Sequence, residues 1–298
     1  MPTNIYTHQD SNIWKTWVLM ALFFSIIIIL GWLVSMFYGD VSILYIAILL
    51  AVFMNIFSYW FSDKIVLALH KAKPATRQEY FDLWNATENL SITAGLPMPR
   101  LYVVNDTAPN AFATGRNKKH AVVCVTTGLL AILDKNELEG VIAHELSHIG
   151  NRDMLLSTVI VVMAGFVALL SDFFLRSQIL GGNRDRNNNA GAILLVIGLV
   201  LAILTPIAAT LIRLAISRKR EFLADATGVL LTRYPEGLAN ALRKINATPV
   251  PMRTANNATA HLFIANPFGA KSTSGFHKLL MTHPPVEERI KALTGLER

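Results

Sequence analysis

Four stretches of this 298-residue chain contain no Asp, Glu, Lys, Arg or His: 17–38, 41–61, 154–171 and 190–212. Each is long enough to cross about 30 Å of hydrocarbon as a helix, the third only just. The first two are apolar all round, which a half-buried helix of a soluble domain is not. Only Gly39-Asp40 separates them, so they are expected to form a tight transmembrane hairpin. Trp17, Trp32, Tyr38, Tyr59 and Trp60 sit near its ends, where amphipathic rings favour the interface. Pro206 is expected to kink the fourth span. The polar arm 1–15, the length of the first apolar run and the second run directly after it argue against a cleaved signal peptide.

Composition agrees with a protein divided between bilayer and water. Hydrophobic residues make up 53% and charged residues 16%, with a mean hydropathy of +0.42. That is too apolar for an ordinary soluble domain and too charged for a membrane-only bundle. Four crossings place 1–16, 62–153 and 213–298 on one side. All of the 27 Lys and Arg except Arg176, Arg184 and Arg186 lie there. The positive-inside rule makes that side cytoplasmic. The net charge of +7 then reads as topology and contact with lipid headgroups, and no nucleic-acid motif accompanies it. The lone Cys124 allows no internal disulfide. The organisation expected is an arm and hairpin over 1–61, a polar half over 62–153, two further spans within 154–212, and a second polar half over 213–298.

Chemistry enters at His144-Glu145-Leu146-Ser147-His148. Positions i and i+4 share one face of a helix, so both imidazoles can reach one metal ion, with Glu145 beside them as a general base. Asp134-Lys135-Asn136-Glu137 has the form of a capping box, which starts a helix near Lys135 and carries the motif on it. A catalytic zinc ordinarily takes three protein ligands and a water. The candidate third ligand is Glu221, with Asp225 one turn further on to accept a hydrogen bond from a ligand imidazole. Two spans separate His148 from Glu221, which returns both to the same side of the membrane. A structural zinc would close its fourth position with another residue, and His120 and Cys124 are the nearby options.

Elsewhere, 100–104 and 121–126 are β-rich, Arg116–Lys119 reads as a turn, and a strand is expected over 111–114. The edge of such a sheet can pair with an extended substrate backbone. An amphipathic helix is expected over 76–90, ended by Gly95 and Pro97. Residues 248–275, rich in Asn, Thr, Ala, Pro, Gly and Ser, read as a long loop and candidate lid.

Taken in order, the apolar hairpin, Pro109-Asn110-Ala111-Phe112-Ala113, the His144–His148 motif running into a span, Glu221 and Asp225 after a further span, and Thr282-His283-Pro284-Pro285 resemble the HtpX-type membrane zinc metalloproteases, relatives of the CAAX-prenyl endopeptidases. The resemblance covers nearly the whole chain. It implies an α-helical integral membrane protein whose mostly helical, gluzincin-like protease domain carries a small β-sheet. It also implies one Zn2+ per chain on His144, His148 and Glu221, with Glu145 catalytic and Asp225 supporting a ligand. Asn110 becomes a substrate contact, and His283 a group that stabilises the oxyanion. The implied activity is endoproteolysis of misfolded or damaged membrane proteins, or of unfolded polypeptides, at the cytoplasmic face of the bacterial inner membrane. An inactive zinc-binding scaffold and a prenyl-protein processing endopeptidase are the alternatives.

Overall fold

The computed structural model describes residues 5–163, 165, 218–256, 258–269 and 284–295. The fourth apolar stretch, 190–212, lies outside them, as do 164 and 166–171 of the third. Two long helices open the chain, α1 (Ile5–Tyr38) and α2 (Ser42–Leu69). Within them, Asn12–Met36 and Ser42–Leu69 are long and apolar enough to cross a membrane. Their surfaces remain largely exposed, with Trp17, Leu22, Ile29, Trp32, Leu49, Phe53 and Ile56 facing outward. Such a surface is stable in lipid and not in water. The helices pack side by side, joined by the three residues Gly39, Asp40 and Val41. Gly39 takes a left-handed φ of 66°, Ser35 Oγ donates to the Asp40 carbonyl at 2.8 Å, and the Ser42 amide donates to Asp40 Oδ1 at 2.9 Å. Both helices run beyond the charge-free stretches. The last turns of α2 carry Asp63, which accepts from Arg100 at 2.6 Å, so this helix leaves the apolar zone and enters the polar domain.

That domain is mostly helical with one four-stranded mixed sheet. The strands β1 (Lys73–Pro74), β2 (Arg100–Val104), β3 (Ala111–Gly115) and β4 (Ala121–Thr126) lie in the order β1-β2-β4-β3. β2 and β4 are parallel, and the other pairs are antiparallel. β3 therefore lies at an edge beside β4, although it falls between β2 and β4 in sequence. Alternation along the strands divides the core. Leu101, Val103, Ala111, Ala113, Val123 and Val125 belong to one cluster with the helices of the domain, and Val104, Phe112, Val122 and Cys124 to another with the end of α2.

The helix α3 (Phe81–Thr93) begins five residues later than periodicity suggested. Thr76 and the residues after it form a turn instead, with Thr76 Oγ1 accepting from the Glu79 amide at 3.3 Å. The short α4 (Thr127–Ile132) is capped by Thr126. The central helix α5 (Lys135–Gly150) starts at the expected capping box: Asp134 accepts from the Glu137 amide at 3.0 Å and Glu137 accepts from the Asp134 amide at 2.9 Å. An apolar helix, α6 (Asp153–Met163), follows at once. Its Leu155, Leu156, Val159, Ile160 and Met163 pack on Leu19, Met20, Phe23 and Met54 of the hairpin. After it come α7 (Arg218–Thr232), α8 (Pro235–Ala247) and α9 (Val286–Thr294).

Two glycines let α7 and α8 approach α5 at backbone distance. A Cβ on Gly228 would stand 3.1 Å from the amide nitrogen of His144, and one on Gly140 would stand 2.6 Å from that of Leu238. Gly140→Ala is therefore expected to destabilise the domain by about 1–3 kcal/mol through overpacking. A thermal unfolding midpoint equal to that of the unmodified protein in the same detergent would contradict this.

Candidate active site

Packing of α7 on α5 brings three side chains to one point. The Nε2 atoms of His144 and His148 are 3.2 Å apart. Glu221 Oε2 lies 3.9 Å from the first, and Glu221 Oε1 lies 3.5 Å from the second. Among the described residues this is the one group of three or more His, Cys, Asp or Glu whose potential ligand atoms all fall within 4.8 Å of one another. Tetrahedral zinc with bonds of about 2.0–2.1 Å spaces two nitrogen ligands by roughly 3.3 Å, close to the imidazole separation found. His120 and Cys124 take no part: His120 Nδ1 is engaged by Asn117 at 2.8 Å, and Cys124 is sealed on the far face of the sheet.

The outer nitrogens of the two imidazoles explain why the inner ones converge. His144 Nδ1 lies 2.9 Å from Asp225 Oδ1, and His148 Nδ1 lies 3.1 Å from Asp153 Oδ2. A carboxylate holds each Nδ1 as its protonated, donating nitrogen, which leaves the Nε2 lone pair free to point at the shared centre. Asp153 reaches back because Arg152, at φ 59°, turns the chain sharply between α5 and α6. Asp153 also accepts from Asn12 of α1 at 2.7 Å and from Arg220 of α7 at 3.3 Å, so the first apolar helix is tied directly to the site.

Asp225 is held from behind by Arg289 of α9. Arg289 Nε donates to Oδ2 at 2.8 Å and Nη2 to Oδ1 at 2.6 Å. Nη1 reaches the Ile264 carbonyl at 3.4 Å and lies 3.9 Å from Glu221. This guanidinium is fully buried, and such a charge is tolerated only because its donors are matched by acids. Burial opposes ionisation of Asp225, but Arg289 and His144 outweigh it and hold the carboxyl at about 2. Burial likewise works against charge on Arg289, yet Asp225, Glu221 and Glu145 keep its pKa above the ordinary value.

The two histidines diverge. Burial pushes His144 down to about 4 and Arg289 adds to that, despite Asp225. Burial also penalises the His148 cation, but Asp153, Glu221 and Glu145 prevail and raise it to about 9. The centre is thus a negative field concentrated beside two nitrogen donors, which suits a metal cation. Glu145 is itself buried and close enough for its charge to be felt at both His148 and Arg289.

Asn110 stands apart from the metal cluster, at the start of β3, with its side-chain amide directed to the backbone of Ala265. His283 lies outside the described residues. Asp153, Arg289 and Asn12 were missed in the sequence. Asp153 follows His148 across a turn and shows no helical spacing to it, and Asn12 and Arg289 are remote in the chain. An arginine inside a short C-terminal helix gives no local sign that it is buried.

Fold and site together define a membrane metalloprotease. The sequence profile of peptidase family M48 matches residues 78–297, and the chain belongs to that family. It is 48% identical over 298 residues, 98% of each chain, to a protein called "Protease HtpX homolog" from Caldanaerobacter subterraneus subsp. tengcongensis. It is 45% identical over 281 residues, 94% of each chain, to the one from Pyrococcus furiosus. Among solved structures it resembles the crystal structure of S. mikatae Ste24p, with a TM-score of 0.51 and 18% identity over 97% of this chain and 67% of that one; that likeness shows the fold.

Removing an outer carboxylate is expected to loosen the centre without dismantling it. Asp153→Asn should weaken metal binding by about 10–100-fold, read by titration against a competing chelator; unchanged affinity would show that His148 needs no such orientation. A second expectation concerns pH in the metal-free protein. Because the folded pKa of Asp225 is depressed below its ordinary 3.8 to about 2, its stabilising contribution is complete above 3.8 and is lost as pH falls through about 2. Arg289→Gln lifts that depression, so acid unfolding followed by tryptophan fluorescence should begin at higher pH; superimposable curves would count against the coupling.

Proposed function

We propose that the protein is a zinc-dependent endopeptidase that cleaves unfolded or damaged membrane proteins at the cytoplasmic face of a bacterial inner membrane. The observation that carries this reading is the convergence of His144, His148 and Glu221 within 4.8 Å, beside the buried carboxylate of Glu145. The gluzincin-like character rests on the same pairing of a motif helix with a second helix that brings a glutamate. Two histidines and one carboxylate suit zinc better than the oxygen-preferring divalent ions.

A zinc ion held by these three residues supplies Lewis acidity, lowering the pKa of a water towards neutrality and polarising the scissile carbonyl. The chain's own residues do the rest. Glu145 takes the water proton and delivers it to the leaving amine, so hydrolysis needs no covalent intermediate. Asp225 and Asp153 fix the tautomers of the two imidazoles. Arg289 keeps Asp225 ionised, so that it remains an acceptor. By the family resemblance, Asn110 is assigned a contact with the substrate backbone and His283 oxyanion stabilisation.

The membrane-side reading is supported by the short path from His148 to the apolar helix α6 and by the Asn12–Asp153 bond. These set the centre beside the hairpin, within reach of the juxtamembrane loops of other membrane proteins. The basic excess on the polar segments supports a cytoplasmic orientation in a multi-pass topology. The scaffold alternative is less favoured because the carboxylate of Glu145 is buried close to His148, where it can serve as the base.

The test pairs the unmodified protein with Glu145→Gln, both full length in detergent. Both are expected to bind one zinc by elemental analysis. Casein cleavage should fall by about 10²–10⁴-fold in the variant and stop on chelation in the unmodified protein. Equal cleavage by the two would remove Glu145 from the mechanism, and zinc binding without cleavage by either would favour the scaffold.

A further inference from the structure

The free edge of β3 already carries a peptide. Residues 263–265 lie antiparallel to it, with Phe263 opposite Phe112. The Ile264 amide donates to the Ala111 carbonyl at 3.0 Å. The Asn110 side chain closes a two-sided pair with Ala265: its Nδ2 donates to the Ala265 carbonyl at 3.0 Å, and its Oδ1 accepts from the Ala265 amide at 3.2 Å. On the opposite side the Ile264 carbonyl accepts from Arg289, the residue that also grips Asp225 and approaches Glu221. Every contact but one with Arg289 uses only the peptide backbone of the segment and the edge or side chain of β3, the mode by which an extended ligand adds to a sheet. Alternation does the rest: the Phe263 ring turns to the face shared with His70 and Phe112, while Ile264 turns to the face that packs on α5 and joins its core cluster.

We propose that Phe263-Ile264-Ala265 is an internal pseudosubstrate: it fills the position along β3 that a polypeptide substrate takes, and cleavage requires its displacement. This rests on the proteolytic reading above and adds its regulation and a preference. A competing segment must be extended, must offer backbone amide and carbonyl groups at two successive residues, and must place an aliphatic side chain where Ile264 now sits. The segment has no lysine, arginine or acid, so the site selects for apolar, unfolded stretches, as an exposed membrane-protein segment provides.

The experiment uses the full-length, zinc-loaded protein in nanodiscs. In Glu145→Gln, hydrogen exchange at the Ile264 and Ala265 amides is expected to be slow, and to quicken when unfolded casein is added in excess. Ala265→Pro removes the amide that Asn110 accepts and is expected to lower KM for casein about tenfold, because a larger fraction of molecules is open, with kcat within about twofold. The synthetic peptide matching residues 260–268 should bind Ala265→Pro more tightly than the unmodified protein. The proposal is overturned if casein binds or is cleaved while the two amides stay protected. It is also overturned if Ala265→Pro loses cleavage with an unchanged unfolding midpoint, or if the peptide binds both proteins equally or neither. Should the unmodified protein cleave nothing, the proteolytic reading fails, and peptide binding to Ala265→Pro still decides whether the segment occupies a displaceable site.

Discussion

The buried ion pair between Arg289 and Asp225 is the contact on which the centre depends. It joins α9 to α7, and through His144 it joins both to α5. Charge balance shows why it belongs there. Glu145, Glu221, Asp225 and Asp153 face Arg289 and Arg220, which leaves an excess of two negative charges around the two imidazoles before any proton on His148 is counted. A divalent cation balances that excess. Without Arg289 the acids would repel one another in a low-dielectric interior, and Asp225 would take up a proton and stop accepting from His144.

The same logic carries the centre to the membrane. Asp153 holds His148, and Asp153 is held by Asn12 of the first apolar helix. A tilt of that helix against α6 would therefore be transmitted to an imidazole through two hydrogen bonds. The apolar contacts of α6 with Leu19, Met20, Phe23 and Met54 fix the distance over which the coupling acts. The apolar helices and the site are thus linked by a hydrogen bond as well as by apolar packing.

Local chemistry was legible in the sequence, and distant pairing was not. The capping box, the motif helix, three of the four strands and the tight turn at Gly39-Asp40 follow from short-range rules, because each is set by residues within a few positions. The convergence of Glu221 on the histidines was inferred from membrane parity and borne on its spacing to Asp225. The strand order escaped, since β3 lies outside β4 through contacts made across the sheet. β1 escaped because two residues with a proline carry no periodic signal. Residues 248–275 read as a loop and candidate lid; in their described part a short 3-10 helix, Ala260–Leu262, precedes Phe263 and Ile264, which are almost wholly buried, so there the segment is packed against the sheet. Composition reported its lack of long regular elements and was silent on its partner.

Burial of the centre limits how a polypeptide can enter it. His144, Glu145 and Glu221 are exposed by 1%, 2% and 5%, while the His148 side chain keeps 16%, so a chain lying along β3 needs part of the wall to move. Among the described residues, two elements cover the approach along β3: α9 and the segment around Ile264. Releasing α9 breaks a buried, bidentate ion pair at about 3–5 kcal/mol. Releasing the segment gives up hydrogen bonds of about 0.5–1.5 kcal/mol each, and an incoming strand remakes them on the same donors and acceptors. The aliphatic contacts of Ile264 are likewise replaced by a substrate side chain of similar size. Exchange of one strand for another is balanced where the incoming chain also refills the place of the buried Phe263 ring, whereas opening at α9 has no such replacement. The cheaper movement is also the one that leaves Asp225, and with it the imidazole of His144, in place for catalysis.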